Sequence, residues 1–185
     1  MSPLPWLTLY SELRNPTAGA VGHRMSPLTR LRMRTMNFEK FSTVDFPPAK
    51  GSLPGPANGF IYLFFWVADG MENPFYVGQT QRLSGRMDDY RLANFKACTD
   101  FRVGEAVKYL NDTKNYPVIV KYRASTDPPK EEYEIIRDLL LEGTWLLNCF
   151  PGYDYLKANE ADERNAVQRF CNKLTGSHAK ATSGN

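Results

Sequence analysis

The chain has 185 residues, 42% of them hydrophobic and 13% aromatic, which is enough for one sizeable core and short for two. It lacks an apolar run of the roughly 18 residues that a membrane-spanning helix needs, and its N-terminus lacks the pattern of a secretory signal. Two histidines and three widely spaced cysteines argue against a zinc site, a histidine-based catalytic triad and a disulfide framework. We therefore expect a cytoplasmic protein without a membrane partner.

The net charge of +3 is concentrated at one end of the chain. Residues 1–36 contain five arginines and one glutamate, a local charge of +4, which leaves −1 for the remainder. Overall electrostatics therefore says little about the partner of the central region.

Residues 1–35 mix Pro, Gly, Ser and Arg without helical or strand periodicity, and we interpret them as a flexible N-terminal extension. Met36 is a second methionine at which translation could begin, so these residues could also be a wrongly assigned start. Residues 36–58 are rich in proline and glycine toward their end, which predicts an irregular lead-in.

A β-hairpin is predicted next. Residues 59–68 (GFIYLFFWVA) are rich in β-branched and aromatic side chains, DGMENP supplies turn chemistry, and FYVGQ at 75–79 is a second short strand. Because side chains alternate along a strand, Tyr62 and Tyr76 can point to the same face of this hairpin.

Helices follow the hairpin. In residues 81–96 the positions Leu83, Met87 and Tyr90 form the stripe of an amphipathic helix, and a short helix is predicted over 103–110. YPVIVKYR at 116–123 predicts a third strand.

Two further helices complete the prediction. Residues 127–143 have prolines and acids at their start and Gly143 at their end, as helix termini prefer. Residues 159–176 carry a second apolar stripe and end in Gly176. The order of elements is typical of an α+β domain followed by an extra C-terminal helix.

The residues around the hairpin occur in a particular order. FIY at 60–62 is followed by YVG at 76–78, then Thr80, and then Leu83 and Arg86 on the next helix. EYEII at 132–136 and GTWLLN at 143–148 follow. This ordered set resembles the signature of the GIY-YIG nuclease family. The resemblance covers residues 59–150 and leaves 151–185 as a C-terminal helix and tail.

The resemblance implies a small three-stranded antiparallel sheet flanked by helices. It also implies a metal-dependent DNA endonuclease, in which Mg²⁺ or Mn²⁺ is bound by a glutamate. The register of EYEII and of Asn148 favours Glu132 for that position, with Glu131 and Glu134 as rivals.

The resemblance further implies the roles of the remaining residues. Arg86 would bind the phosphate, Tyr62 would orient or deprotonate the attacking water, Tyr76 would bind phosphate or metal-bound water, and Asn148 would hold the site together. Tyr90 lies where many family members have histidine or tyrosine, which leaves its own part open. The residues expected to contact phosphate or DNA are Thr80, Arg82, Arg86 and Tyr90.

Two other interpretations stay open. The chain could be a nucleic-acid-binding module that keeps this fold without turnover, or an α+β interaction domain in which the tyrosines only fill the core. The residues do not distinguish repair, restriction and homing substrates.

Overall fold

A computed structural model of the chain describes residues 38–149 and 159–182. The predicted N-terminal extension, the start at Met36 and residues 151–158 of the predicted tail lie outside these ranges. The strands are β1 (Ser42–Asp45), β2 (Phe60–Ala68), β3 (Met71–Thr80) and β4 (Val118–Ala124). The α-helices are α1 (Leu83–Leu92), α2 (Cys98–Lys108), α3 (Pro128–Leu141) and α4 (Glu160–Thr182).

The sheet is antiparallel and has four strands in the order β1-β4-β2-β3, so the expectation of three strands is wrong. The additional strand, β1, lies in the segment that was predicted to be an irregular lead-in. It has only four residues, STVD, and three of them are exposed. An edge strand this short carries no alternating apolar pattern, which is why the sequence does not reveal it.

Strand β2 forms the centre of the molecule because all but one of its nine side chains are buried. Tyr62 and Phe64 on one face of the sheet pack with α1, α2 and α4. Ile61 and Leu63 on the other face pack with α3. A strand covered on both sides is expected to be continuously apolar, as FIYLFFWVA is.

The β2–β3 hairpin is closed by a two-residue turn, since Ala68 pairs with Met71. The turn residues Asp69 and Gly70 have φ values of 52° and 75°, which an Asp-Gly pair accommodates. The predicted hairpin is confirmed, but its turn is shorter than the DGMENP segment suggested because β3 extends back through that segment.

The predicted helices are confirmed with changes at their ends. Leu83, Met87 and Tyr90 are the buried residues of α1, as their spacing predicted. Asp127 caps the start of α3 by accepting a hydrogen bond from the Lys130 backbone N–H. Helix α2 begins at Cys98, five residues earlier than predicted, and a π-helical turn (Tyr109–Thr113) follows it.

Helix α4 continues beyond Gly176, where the sequence predicted its end. A glycine costs about 1 kcal/mol relative to alanine inside a helix, which neighbouring turns can absorb. Within residues 38–149 and 159–182, none of the helices combines the length and the apolar character that crossing a membrane requires.

Candidate active site

Two tyrosines from the hairpin lie on the same face of the sheet. Tyr62 pairs with Gly78 across β2 and β3, Phe64 pairs with Tyr76, and the Tyr62 and Tyr76 ring centroids are 6.4 Å apart. A β-bulge lies directly beyond Tyr76, since the next residue of β2, Phe65, pairs with Pro74. Bulges alter the direction in which strand side chains point, and this one ends the regular ladder beside the tyrosines.

Gly78 allows the Tyr62 ring to lie directly against the neighbouring strand. A Cβ atom built on Gly78 would be 2.5 Å from Cζ of Tyr62, far inside van der Waals contact. Glycine in the interior of a strand commonly marks such a close approach. The glycine of the YVG tripeptide is therefore explained by the position of Tyr62.

Helix α1 adds an arginine and a third tyrosine to this face. The Tyr90 hydroxyl lies 2.6 Å from the Tyr62 hydroxyl, and it donates to the Tyr76 hydroxyl at 3.2 Å. Arg86 Nε donates to the Tyr90 hydroxyl at 3.0 Å, and Arg86 Cζ is 4.6 Å from the centre of the Tyr90 ring. We refer to Tyr62, Tyr76, Arg86 and Tyr90 as the tyrosine–arginine cluster.

One hydrogen bond of the cluster has a direction. Tyr90 donates to the Tyr76 hydroxyl, whereas in the 2.6 Å contact between Tyr62 and Tyr90 either hydroxyl can be the donor. The proton of Tyr76 is then available to an acceptor outside the cluster. Tyr76 is also the most accessible of the three, with 6% exposure against 1% for Tyr62 and 0% for Tyr90.

Burial raises the pKa of Tyr62 above its usual value, although Arg86 and the hydrogen bond to Tyr90 act in the opposite direction. Burial likewise raises the pKa values of Tyr76 and Tyr90 well above the usual value. The three tyrosines are therefore neutral phenols at physiological pH. Arg86 keeps its charge: burial by itself would lower its pKa, but the tyrosines more than compensate.

Glu132 lies in the first turns of α3 and interacts electrostatically with the cluster. Burial raises its pKa to about 7, while Arg86 and a hydrogen bond from Gln79 act to lower it. Its negative charge contributes in turn to the raised pKa values of Tyr62 and Tyr76. A half-buried carboxylate with this pKa changes its protonation near neutrality and is stabilised by any cation that approaches it.

The two rival acids of α3 point elsewhere. Glu131 forms an ion pair with Arg123 of β4 at 2.8 Å. Glu134 lies near Arg137, whose pKa is raised first by Asp138 and further by the Glu134 charge. Of the three acids, Glu132 is the one whose charge acts on Tyr62.

Asn148 lies in the short 3₁₀ turn Leu147–Cys149 beside β3. Its side-chain oxygen accepts from the Val77 N–H at 2.9 Å, and its side-chain nitrogen donates to the Val77 carbonyl at 2.7 Å. Because β3 is an edge strand, these two bonds satisfy backbone groups that would otherwise remain unpaired in the ladder. Asn148 thus fixes the strand residue next to Tyr76 without itself joining the cluster.

Thr80 is the last residue of β3, and Arg82 immediately precedes α1. The Thr80 hydroxyl oxygen accepts from the Arg82 backbone N–H at 3.0 Å, and the Arg82 side chain is exposed. Tyr90 was expected to contact phosphate or DNA, but it has no exposed surface. Its position fits support of the cluster better than contact with a ligand.

Two participants were not singled out from the sequence. Gln79 bonds to Glu132, and Asp100 of α2 lies 2.5 Å from Arg86 Nη1. Gln79 is adjacent to the YVG tripeptide, which was the available signal. Asp100 resembles any acid in the first turn of a helix, where the helix dipole favours a negative charge.

The site contains one carboxylate that could hold a metal ion. In the part of the chain that the structure describes, no three His, Cys, Asp or Glu side chains converge. A single carboxylate such as Glu132 nevertheless fits Mg²⁺, which is often bound through one or two carboxylates plus waters and substrate phosphates. The raised pKa of Glu132 is consistent with such a cation, because a positive charge would offset the cost of its burial.

Comparisons with known proteins identify no relative of this chain: no family model, curated protein or solved structure matches it.

Proposed function

We propose that this protein is a DNA endonuclease of the GIY-YIG type that hydrolyses phosphodiester bonds with the help of Mg²⁺ or Mn²⁺. The observation that carries the proposal is the convergence of Tyr62, Tyr76, Arg86 and Glu132 from the hairpin, α1 and α3. These residues are separated by up to 70 positions in the chain. A core filled only for packing has no need of a charged arginine and a carboxylate beside three hydroxyl groups.

Arg86 is the group that binds phosphate in this proposal. Its guanidinium is charged, its side chain is 25% exposed, and it lies against the tyrosine hydroxyls. The planar donors of arginine match two phosphate oxygens at once, and the positive charge offsets the negative charge that builds up in the transition state.

Tyr76 acts as a neutral donor to a phosphate oxygen or to the attacking water. Tyr76 accepts from Tyr90, which leaves its own proton free, whereas the Tyr62 hydroxyl lies deeper in the cluster, 2.6 Å from the Tyr90 hydroxyl. Tyr62 then orients Tyr90, and through it Tyr76 and Arg86. A phenolate at Tyr62 is disfavoured, since burial raises its pKa. Of the two roles expected for Tyr62, to orient or to deprotonate the attacking water, this proposal does not use deprotonation.

Glu132 is the residue that would hold the divalent cation, and Gln79 orients its carboxylate. Such a cation would supply Lewis acidity at the phosphate and would make a water molecule more acidic. Glu132 must be deprotonated to bind it, so the raised pKa makes metal affinity sensitive to pH near 7.

A nucleic-acid-binding module without turnover is the second candidate. Two observations favour it: Arg86 is already paired with Asp100, and the tyrosines are almost fully buried. In both cases DNA is the proposed partner, and the expected location remains the cytoplasm on the sequence grounds given above.

The test is nicking of supercoiled plasmid DNA with Mg²⁺, with Mn²⁺ and with EDTA, extended to branched, flapped and single-stranded DNA. The endonuclease should nick at least one of these forms when metal is present and none when EDTA is added. Glu132→Gln should abolish nicking and leave DNA binding without metal intact, because it removes the anionic ligand and little else.

The matched control is Glu131→Gln, which removes a carboxylate paired with Arg123 and should keep most of the activity. If the unchanged protein binds DNA but nicks none of these forms, the binding module is the better interpretation. If Glu132→Gln nicks at the parent's rate, the metal lies elsewhere.

A further inference from the structure

The Arg86 guanidinium is held by two helices at once. From its own helix α1 it donates through Nε to the Tyr90 hydroxyl at 3.0 Å and lies over the Tyr90 ring. From α2, Asp100 forms an ion pair with it, with the carboxylate Oδ1 at 2.5 Å from Arg86 Nη1. Contacts on two sides of a planar group fix its orientation as well as its position.

Asp100 differs from Asp89, which also forms an ion pair with Arg86. The Asp100 side chain is 13% exposed, while Asp89 lies 3.8 Å from the same nitrogen and is 39% exposed. A carboxylate that is largely removed from water needs a charged or hydrogen-bonding partner, and Arg86 is the ion-pair partner that Asp100 has. The Asp89 contact is an ordinary surface pair between residues three apart on one helix.

The close approach of the α1 and α2 backbones sets the distance between Asp100 and Arg86. Gly104 follows Asp100 by four residues and so lies on the same face of α2. A Cβ atom on Gly104 would overlap the Tyr90 carbonyl and come within 2.6 Å of the Ala93 Cβ. The absence of a side chain at Gly104 therefore lets α2 approach the end of α1 closely and brings Asp100 to Arg86.

We propose that Asp100 is a positioning residue, which holds the Arg86 guanidinium against the tyrosine hydroxyls in the orientation that receives a phosphate. The inference rests on the proposed endonuclease function. An arginine side chain has several rotatable bonds, and without a second anchor its planar fork would sample many orientations. Fixing it in advance lowers the barrier to catalysis, because the donors need not be reorganised when charge develops on the phosphate.

The first experiment compares steady-state nicking by Asp100→Asn and by Asp89→Asn as the matched control. Asp100→Asn keeps the size of the side chain and removes its charge, and we expect kcat to fall about 10- to 100-fold with KM changed less than about threefold. Asp89→Asn should have the parent's kcat. Thermal unfolding of both variants shows whether each is folded. An unchanged or increased kcat in folded Asp100→Asn would overturn the proposal, an increase indicating that Asp100 blocks the phosphate site.

A double-mutant cycle shows whether Asp100 acts through Arg86. Lysine at position 86 keeps the charge but has no planar fork to orient. In an Arg86→Lys background, adding Asp100→Asn should therefore lower kcat less than about threefold further. An equal loss in both backgrounds means that Asp100 acts on something else, and it contradicts the inference.

A measurement that does not require activity separates this inference from the proposed function. In the ¹⁵N spectrum of the folded protein, the Arg86 Nε–H should give a sharp signal protected from exchange with water. Asp100→Asn should broaden it or increase its exchange, and Asp89→Asn should not. If the parent protein nicks no DNA, the proposed function fails while this comparison still decides whether Asp100 orients Arg86. An identical Arg86 signal in Asp100→Asn refutes the positioning role.

Discussion

Glu132→Gln should make the folded protein more stable at alkaline pH in the absence of metal. Burial raises the pKa of Glu132 in the folded chain from 4.5 to about 7. Between these values the folded chain holds a proton that the unfolded chain has released, so stability falls as the pH rises through this window. Above pH 7 the folded carboxylate is ionised in a site that disfavours its charge. Glutamine avoids this cost at every pH.

The magnitude follows from the same shift. Each pKa unit corresponds to about 1.4 kcal/mol, so a rise from 4.5 to about 7 sets an upper limit of about 3 kcal/mol. Glu132 is half-buried and part of the shift is screened by solvent, so we expect a gain of about 1 to 3 kcal/mol at pH 8. Near pH 4.5 and below, where Glu132 is protonated in both states, the gain should approach zero.

The assay is urea unfolding of the parent and of Glu132→Gln at pH 5 and pH 8 with EDTA. For a domain of this size a gain of 2 kcal/mol raises the unfolding midpoint by about 1 M urea. Added Mg²⁺ should stabilise the parent and not the variant, since only the parent keeps the anionic ligand. Glu131→Gln, which loses its pair with Arg123, should gain no stability as the pH rises. A difference between parent and Glu132→Gln that is the same at both pH values would refute the argument from burial.

Four further substitutions, with Tyr122→Phe as a control, test other parts of the site. Tyr76→Phe should lower nicking about 10²-fold, because Tyr76 has the free proton, and Tyr62→Phe should lower it about 10-fold, because Tyr62 acts through Tyr90. Tyr122→Phe, on the same sheet face, should nick like the parent. If Tyr62→Phe is the more damaged variant, the roles assigned to the two tyrosines are wrong. Gly78→Ala should lower the free energy of unfolding by about 1 to 3 kcal/mol, because its Cβ would overlap the Tyr62 ring. Thermal denaturation measures this loss, and a variant as stable as the parent would mean that the ring moves freely. Asn148→Ala should lower the free energy of unfolding by about 2 kcal/mol and speed amide hydrogen exchange in the middle of β3, since two hydrogen bonds to that edge strand are lost. Unchanged exchange would contradict the role of Asn148 in fixing this strand.

Local signals account for the elements that the sequence predicted well. The apolar run of β2 and the Asp-Gly turn define the hairpin, and the stripe through Leu83 and Met87 defines α1. Helix α3 begins behind Asp127 and is followed by Gly143 with a φ of 81°, as its capping residues indicated. Each of these features depends on residues close together in the chain, so periodicity and capping chemistry are enough to find them.

The elements that were missed depend on distant partners. Strand β1 exists because it pairs with β4, more than 70 residues later, and its own sequence has no strand pattern. The early start of α2 is similar, since ion pairs join it to α4: Arg102 with Glu163, which is buried, and Glu105 with Arg164, whose arginine is partly exposed. The sequence of either segment by itself does not reveal these distant partners.

The same division applies to the site. The order of Tyr62, Tyr76 and Arg86 along the chain was readable, because strand alternation and helix spacing bring them to one face. The sequence alone left three acids of α3 as candidates. Which acid acts on the cluster depends on how α3 packs against the sheet, and that packing directs Glu131 to Arg123 and Glu132 toward the tyrosines.

By itself, therefore, the sequence determined the hairpin, the amphipathic helices and the ordered set of polar residues, since these follow from periods of 2 and 3.6 residues. The tertiary structure alone decided that Tyr90 is buried between the other two hydroxyls, that Asp100 reaches Arg86, and that Glu132 has a pKa near 7. The physical reason is that burial and electrostatic coupling depend on distances between atoms far apart in the chain. Such distances are set by close contacts such as the one at Gly104, where α1 and α2 approach each other.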